Sequence, residues 1–280
     1  MATVNVDIKQ LLEAGAHFGH KTSRWHPKMA EYIHSKKEGS HIIDLTKTVS
    51  ALNESLKFIE GEVAKGKQVL VVGTKRQARD VVKKIAADTG MPYVAERWLG
   101  GMLTNTNTMN VRLKHLRDTE IEMDSGALEN KLNKLELQRV QEELDLMNYN
   151  YGGIKEMHAK PGVMFVFDVI HDVNAVREAN KLGIPVVALV DTNADPRPIP
   201  HPIPCNDDAV KTVELIGEYL TQAILAGKAK VKEVTAEEAK KEAKDPAKAI
   251  ATASDKDPAN KIASSAASAK NPAKAIATAK

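Results

Sequence analysis

Between Gly15 and Thr48 the chain reads GAHFGHKTSRWHPKMAEYIHSKKEGSHIIDLTKT. Five of the nine histidines lie here: His17, His20, His26, His34 and His41. Six cations (Lys21, Arg24, Lys28, Lys36, Lys37 and Lys47) face three acids, Glu31, Glu38 and Asp44. Trp25 and Tyr32 are interspersed, and Gly15, Gly19, Pro27 and Gly39 interrupt any long helix. Cations that hold phosphates beside rings that stack on bases or sugars suit a folded polyanion. A solvated N-terminal loop with one buried Trp would have the same composition.

Other motifs bear on the same choice. Gly61 to Gln68 (GEVAKGKQ) nearly spells a phosphate-binding loop, but Gln68 stands where Ser or Thr must hold magnesium, and the loop precedes its strand instead of following it. The strand-to-helix turn is instead Gly73-Thr74-Lys75-Arg76, where a helix N-terminus would favour a phosphate. No G-x-G-x-x-G follows, so a dinucleotide is not expected, and a nucleic-acid phosphate fits as well. Glu96 to Asn105 (ERWLGGMLTN) pairs Arg97 with Trp98, and its two glycines permit close backbone approach; Trp98 could equally sit in the core of a hinge.

Metal and catalytic readings are weaker. His17-Phe-Gly-His20 offers two ligands for zinc without a supporting Cys/His cluster. Asp168 and Asp191 end buried strands, with Asp172, Asp195, Asp207 and Asp208 near them in sequence; carboxylates at that edge could hold magnesium, as in a phosphohydrolase. Asp207 also stands where a helix N-cap is expected, and Asp191-Thr-Asn begins a turn. No nucleophile or general base stands out. His17, Asp191 and Asp207 are the metal candidates, for a structural magnesium or zinc at most; no cofactor is expected. Cys205 lacks a histidine partner in sequence, and a single cysteine excludes an intramolecular disulfide.

The elements that must position these residues follow from periodicity. Ile8 to Ala14 reads as a short helix ended by Gly15, and His41 to Asp44 as a short strand. Val49, Leu52, Leu56, Ile59 and Val63 place a helix over Thr48 to Ala64. Val69 to Val72, Gly162 to Val169 and Ile184 to Asp191 are apolar runs expected as buried strands. Pro92 to Ala95 reads as a further strand. Helices are expected from the Lys75 turn to Gly90, over His171 to Leu182, and over Asp207 to Ala226. The alternation predicts an α/β fold: three layers, α/β/α, around a mostly parallel sheet of Rossmann-like or flavodoxin-like kind. Residues 104–150 break the rhythm. Met109, Leu113 and Leu116, then Leu128, Leu132, Leu135, Leu137, Val140, Leu144 and Met147, predict an inserted antiparallel helical hairpin. The expected division is a body of 1–103 and 151–227, the hairpin 104–150, and a tail.

That tail, 228–280, is rich in Ala and Lys and repeats DPAKAIATA as NPAKAIATA. With almost nothing to bury, it reads as disordered or transiently helical. The chain of 280 residues is 42% hydrophobic and 28% charged, which indicates an ordinary globular protein. It has no apolar run of about 18 residues and no secretory signal pattern, so neither membrane nor export is expected. Its charge is segregated: 16 Lys/Arg against 11 Asp/Glu in 1–100, 12 against 19 in 101–227, and 12 against 7 in 228–280. One face for a polyanion and another for protein or water would produce such a distribution.

The segments GAHFGHKTSRWHPKM, LVVGTKRQARD, RWLGGMLTN, VFDVIHDVNAVREANKLGIPVVALVDTNADP and PIPCNDDAVKTVELI, in that order over roughly residues 3–227, closely resemble the bacterial S-two family of small-subunit ribosomal proteins. The resemblance implies a three-layer fold with an inserted helical hairpin and no catalysis. It implies a cytoplasmic protein of the small subunit that binds 16S ribosomal RNA, bridges head and body, and helps anchor the mRNA-binding protein S-one. Neighbouring small-subunit proteins are the other implied partners, with no small-molecule substrate. The RNA-facing residues expected are His17, His20, Lys21, Arg24, Trp25, Lys28, Lys36, Lys37, Lys75, Arg76, Arg97, Trp98 and Asn105. The repeated tail lies outside the family pattern. A magnesium-dependent phosphohydrolase using Asp168 and Asp191 is the rival expectation, and a free-standing RNA-binding regulator the third.

Overall fold

A computed structural model describes residues 6–128, 131–157 and 159–244. The four-residue apolar run Val69–Val72 forms β4, buried throughout. It pairs in parallel with β5 (Tyr93–Val94) on one side and β6 (Val163–Val166) on the other. β7 (Val186–Val190) and β8 (His201–Pro204) complete a five-stranded parallel sheet ordered β5-β4-β6-β7-β8. Alternate residues face opposite sides. Val69, Val71, Val163, Phe165, Val187 and Leu189 share one core with α2 (Leu45–Ala64), α3 (Arg79–Thr89) and α7 (Val210–Lys244). Leu70, Val72, Met164, Val166, Val186 and Val190 share the other with α6 (Val173–Lys181) and the base of the helical pair α4 (Thr106–Asp124) and α5 (Lys134–Tyr151). The expected three layers, parallel sheet and inserted hairpin are all present.

A second sheet precedes the first. The short helix α1 (Ile8–Ala14) ends at Gly15 in the left-handed region. β1 (Phe18–Lys21), β3 (Ser40–Ile43) and β2 (Ile33–Lys37) then form an antiparallel sheet ordered β1-β3-β2. Glu38 (φ 50°) and Gly39 (φ 77°) turn β2 into β3; two successive positive φ values are what a tight two-residue hairpin requires.

Several elements differ from the sequence expectation. β8 was not foreseen, because Pro202 and Pro204 remove donors; at the sheet edge only one side needs pairing. α3 begins at Arg79, after a turn in which the Ala78 N–H bonds the Lys75 carbonyl, so Gly73 to Arg76 is not a helix N-terminus. α7 does not stop at Gly227 but runs to Lys244. A Cβ on Gly227 would stand 2.8 Å from the Val63 Cβ and 2.9 Å from the Glu60 carbonyl, so this glycine serves close packing on α2. Residues 245–280, which hold the repeats, lie outside the described residues. Among the described residues no helix is long and apolar enough to cross a membrane.

Candidate nucleic-acid interface

The antiparallel sheet carries the basic segment. Lys21, Arg24, Lys28, Lys36 and Lys37 are all exposed on it or on the turns that join its strands. Among the described residues none of the five has an ion-pair partner. Trp25 is 37% exposed. Its ring lies 5.3 Å from that of buried His41, and the Lys36 ammonium stands 5.9 Å from the Trp25 centroid. Burial, with Lys36 adding to it, holds His41 below the ordinary imidazole range, so a neutral ring backs the tryptophan. The result is an open cationic surface with one anchored aromatic ring.

The sheet is fixed to the carboxyl edge of the parallel sheet. The His20 N–H donates to Thr192 Oγ1 at 2.9 Å, and the His26 N–H to the Thr192 carbonyl at 2.7 Å. Asn206 bonds the Ala16 carbonyl through its N–H and the Gly15 carbonyl through Nδ2. Gly19 permits this approach: a Cβ there would stand 2.6 Å from Thr192 Cγ2. The edge where parallel sheets commonly hold ligands is thus bordered by the chain's own N-terminal segment.

Beneath it, Lys75 does not reach outward. Its ammonium lies 3.0 Å from Asp168, 2.7 Å from Asp207 and 2.8 Å from Asp208, with the side chain 17% exposed. Burial alone would lower its pKa, but these carboxylates outweigh burial and hold it raised and charged. Lys75, expected to meet phosphate, is thus held by the chain itself: three carboxylates already surround it, and a phosphate there would face like charge. Thr74 is also enclosed, donating to Asp172 through Oγ1 at 2.7 Å and through its N–H at 3.2 Å. Arg76 remains exposed. Asp168 also accepts from the Ile170 and His171 N–H groups, and Asp207 holds Lys75 instead of capping α7.

His20 belongs to this polar cluster. Its Nδ1 lies 2.9 Å from Asp191 and its Nε2 3.4 Å from Asp208. The Asp191 hydrogen bond raises its pKa against the effect of burial. Burial, reinforced by Asp168 and Asp191, pushes Asp207 up to about 7. Among the described residues, His20, Asp191 and Asp207 bring ligand atoms within 4.8 Å of one another, a donor set able to hold a divalent cation. His17, expected among the metal candidates, is not in that set. Its ring lies 4.0 Å from that of Phe18, and burial lowers its pKa. Cys205 is fully enclosed, and burial drives its thiol pKa up, away from reactivity.

The ERWLGGMLTN segment is also internally satisfied. Trp98 is buried, and its indole N–H donates to Glu178 Oε1 at 3.1 Å. The same carboxylate accepts from the N–H groups of Gly101 (2.8 Å), Leu103 (3.1 Å) and Thr104 (3.1 Å), and from Thr104 Oγ1 (3.0 Å). Burial would raise the Glu178 pKa, but these donors hold it below the usual carboxylate range. Trp98, expected as an RNA contact, lies inside the hinge, which folds around Glu178 on α6. Arg97 and Asn105 stay exposed beside it. Sequence reasoning missed Glu178 and Thr192, and weighed Asp208 only as one of the acids near the strand ends. Only the acids near strand ends gave any signal, and it pointed to magnesium instead of an internal lysine.

Comparison with known proteins supplies the context. The family model described as Ribosomal protein S2 matches residues 11–227. A protein named small ribosomal subunit protein uS2 from Roseiflexus sp. (strain RS-1) is 48% identical over 222 residues, covering 79% of this chain and 84% of that protein. Its namesake from Chloroflexus aggregans is 47% identical over 222 residues, covering 79% and 93%. That of Coprothermobacter proteolyticus is 45% identical over 223 residues, covering 80% and 83%.

Proposed function

The chain belongs to the ribosomal protein S2 family, and from that premise we propose that it grips 16S ribosomal RNA through the open face of its N-terminal sheet. The family is a structural component of the small ribosomal subunit and not an enzyme. The observation that carries the RNA reading is the set of five exposed cations, Lys21, Arg24, Lys28, Lys36 and Lys37, unpaired among the described residues and grouped around a half-exposed Trp25. Phosphates would lie against the ammonium and guanidinium groups, and a base or sugar against the indole face. Arg76, Arg97 and Asn105 are secondary contacts, exposed at turns of the body. His17 and His20 act from beneath, by shaping the sheet. The body serves as a rigid mount, and the hairpin of α4 and α5, which exposes Val111, Ile121, Leu135 and Leu146, extends it toward further RNA or a neighbouring protein. Bridging of head and body, and help in anchoring S-one, complete the proposal.

The test is occupancy. Small subunits are sedimented from cells carrying Arg24→Ala with Lys28→Ala, then washed at rising salt. Release of the variant should begin at lower salt, and the salt slope of binding to isolated 16S RNA should drop by about one per lost phosphate contact. Unchanged release and slope would remove these side chains from the interface.

A further inference from the structure

One buried ring of the N-terminal sheet lacks a polar partner. His41 on β3 is 1% exposed, and neither Nδ1 nor Nε2 has a hydrogen bond among the described residues. Its neighbours differ: His20 lies against Asp191 and Asp208, and His26 Nδ1 accepts from the Lys28 N–H at 3.3 Å. A neutral imidazole offers one N–H donor and one bare acceptor nitrogen. Enclosing both unpaired costs stability that a purely apolar ring in the same place would not. Bulk alone therefore does not account for a histidine here.

The ring packed on His41 is Trp25, at 5.3 Å between centroids and tilted by 37°. The backbone on either side of Trp25 is pinned. The Thr22 N–H donates to the Gly39 carbonyl at 2.9 Å, and the His26 N–H to the Thr192 carbonyl at 2.7 Å. The indole is not pinned. Trp98 is tied through its N–H to Glu178, but no hydrogen bond holds the Trp25 ring among the described residues. Its side chain can rotate while the backbone stays in place, opposed only by contacts with His41 and Lys36.

We infer that Trp25 is a lid over His41, and that RNA lifts it: the indole stacks on a base, and the uncovered imidazole hydrogen-bonds the ribose of the same nucleotide. The inference rests on the RNA contact proposed above and adds what its cations do not supply. Phosphate oxygens only accept, so they leave the bare nitrogen of a neutral imidazole unmatched. A ribose 2′-hydroxyl both donates and accepts, and it is the group that distinguishes RNA from DNA. Lys21, Arg24, Lys28, Lys36 and Lys37 hold the backbone, and His41 reads the sugar.

The test uses the full chain and 16S ribosomal RNA transcribed with a small fraction of 2′-deoxy phosphorothioate nucleotides, beside a control with phosphorothioates on ordinary ribose. Bound RNA is collected on a filter, and iodine cleavage reads where a 2′-hydroxyl is needed. The parent chain should deplete deoxynucleotides at one or two positions, by about threefold to tenfold for one lost hydrogen bond. His41→Phe, which keeps a ring beneath Trp25, should abolish the depletion at one of them. His41→Gln, which restores a donor and an acceptor, should recover it. Depletion that is absent from the parent, unchanged in His41→Phe, or lost equally in both variants would overturn the inference. The lid is read without RNA. Carbethoxylation of His41 by diethyl pyrocarbonate, followed by mass spectrometry, should be slow in the parent and several-fold faster in Trp25→Ala, and equal rates would remove the lid. The salt slope of the Arg24→Ala, Lys28→Ala chain reads the phosphate contact independently, so failure of one proposal is distinguishable from failure of the other.

Discussion

Two internal polar clusters brace the body, and they are opposite in charge. At the carboxyl edge of the parallel sheet a cation, Lys75, is enclosed by Asp168, Asp207 and Asp208. At the hinge before α4 an anion, Glu178, is enclosed by the indole of Trp98, three backbone N–H groups and the Thr104 hydroxyl. Each looked in sequence like a site awaiting an external ligand, a phosphate turn in one case and a backbone cradle in the other. Each is filled by a side chain of the same protein. The difference lies in what the fold must supply. Lys75 needs counter-charges from two distant loops. Glu178 needs mainly N–H groups that one tight turn presents together, which resembles an anion-binding nest of backbone amides.

Removal of the central group should separate the two most sharply. Lys75→Met leaves three carboxylates without their shared cation, a loss of about 3 kcal/mol in unfolding free energy at pH 8 by urea titration. The deficit should shrink toward pH 5 as the carboxylates take up protons. An equal deficit at both pH values would mean that Lys75 serves packing and not charge. Glu178→Ala should cost about 2 kcal/mol, because buried donors lose their acceptor. Its effect should centre on the hinge, with faster amide exchange at Gly101, Leu103 and Thr104 and at the start of α4. Unchanged exchange there would disconnect Glu178 from the orientation of the hairpin.

The opposite charges also predict opposite responses to acid. Asp207 and His20 both have raised pKa values in the folded chain. The stability they contribute is fully present below their unfolded values and is lost as pH rises through the folded ones, about 7 for Asp207. Glu178 is depressed, so its contribution is present above the unfolded value and is lost as pH falls through the folded one. Thermal melting should therefore decline as pH rises from about 4.5 to 7.5, between the unfolded and folded values of these groups, by about 2–4 °C for each kcal/mol. Asp207→Asn should flatten that decline and leave the acid limb in place. A wild-type midpoint that is flat from about pH 4.5 to 7.5 would break the comparison.

Much of the scaffold was legible because it is repetitive. β4, β6 and β7 are continuous apolar runs, and α2 repeats Leu52, Leu56, Ile59 and Val63 at three and four. The partners of the clusters were not, because they are made by topology. Asp207 lies 132 residues from Lys75, and Glu178 lies 77 from Gly101. No local pattern distinguishes a lysine that will meet its own carboxylates from one that will meet a phosphate. β1 and β2 escaped for a different reason: FGHK and IHSKK bury little, so no apolar alternation marks them. The basic character of that sheet was nonetheless plain from composition alone, since exposed cations need no partner to be recognised.

The smallest expected effect tests where the braced clusters end and the open surface begins. Single alanine substitutions at Lys21, Arg24, Lys28, Lys36 and Lys37 should each leave unfolding free energy within about 0.5 kcal/mol of the parent, since exposed side chains without a partner contribute little to the folded state. Lys36 is the sharpest case, because its ammonium stands 5.9 Å from the Trp25 ring and an exposed cation–π contact contributes about 0.5–1 kcal/mol at most. If Lys36→Ala destabilised the chain as much as Glu178→Ala, the cation would be an internal brace of Trp25 and not a surface group. If stability held while salt-resistant retention on small subunits fell, fold and interface would be separable within one short sheet. Lys75 would then mark the boundary between them: a cation from the same basic half of the sequence, turned inward to hold the body together.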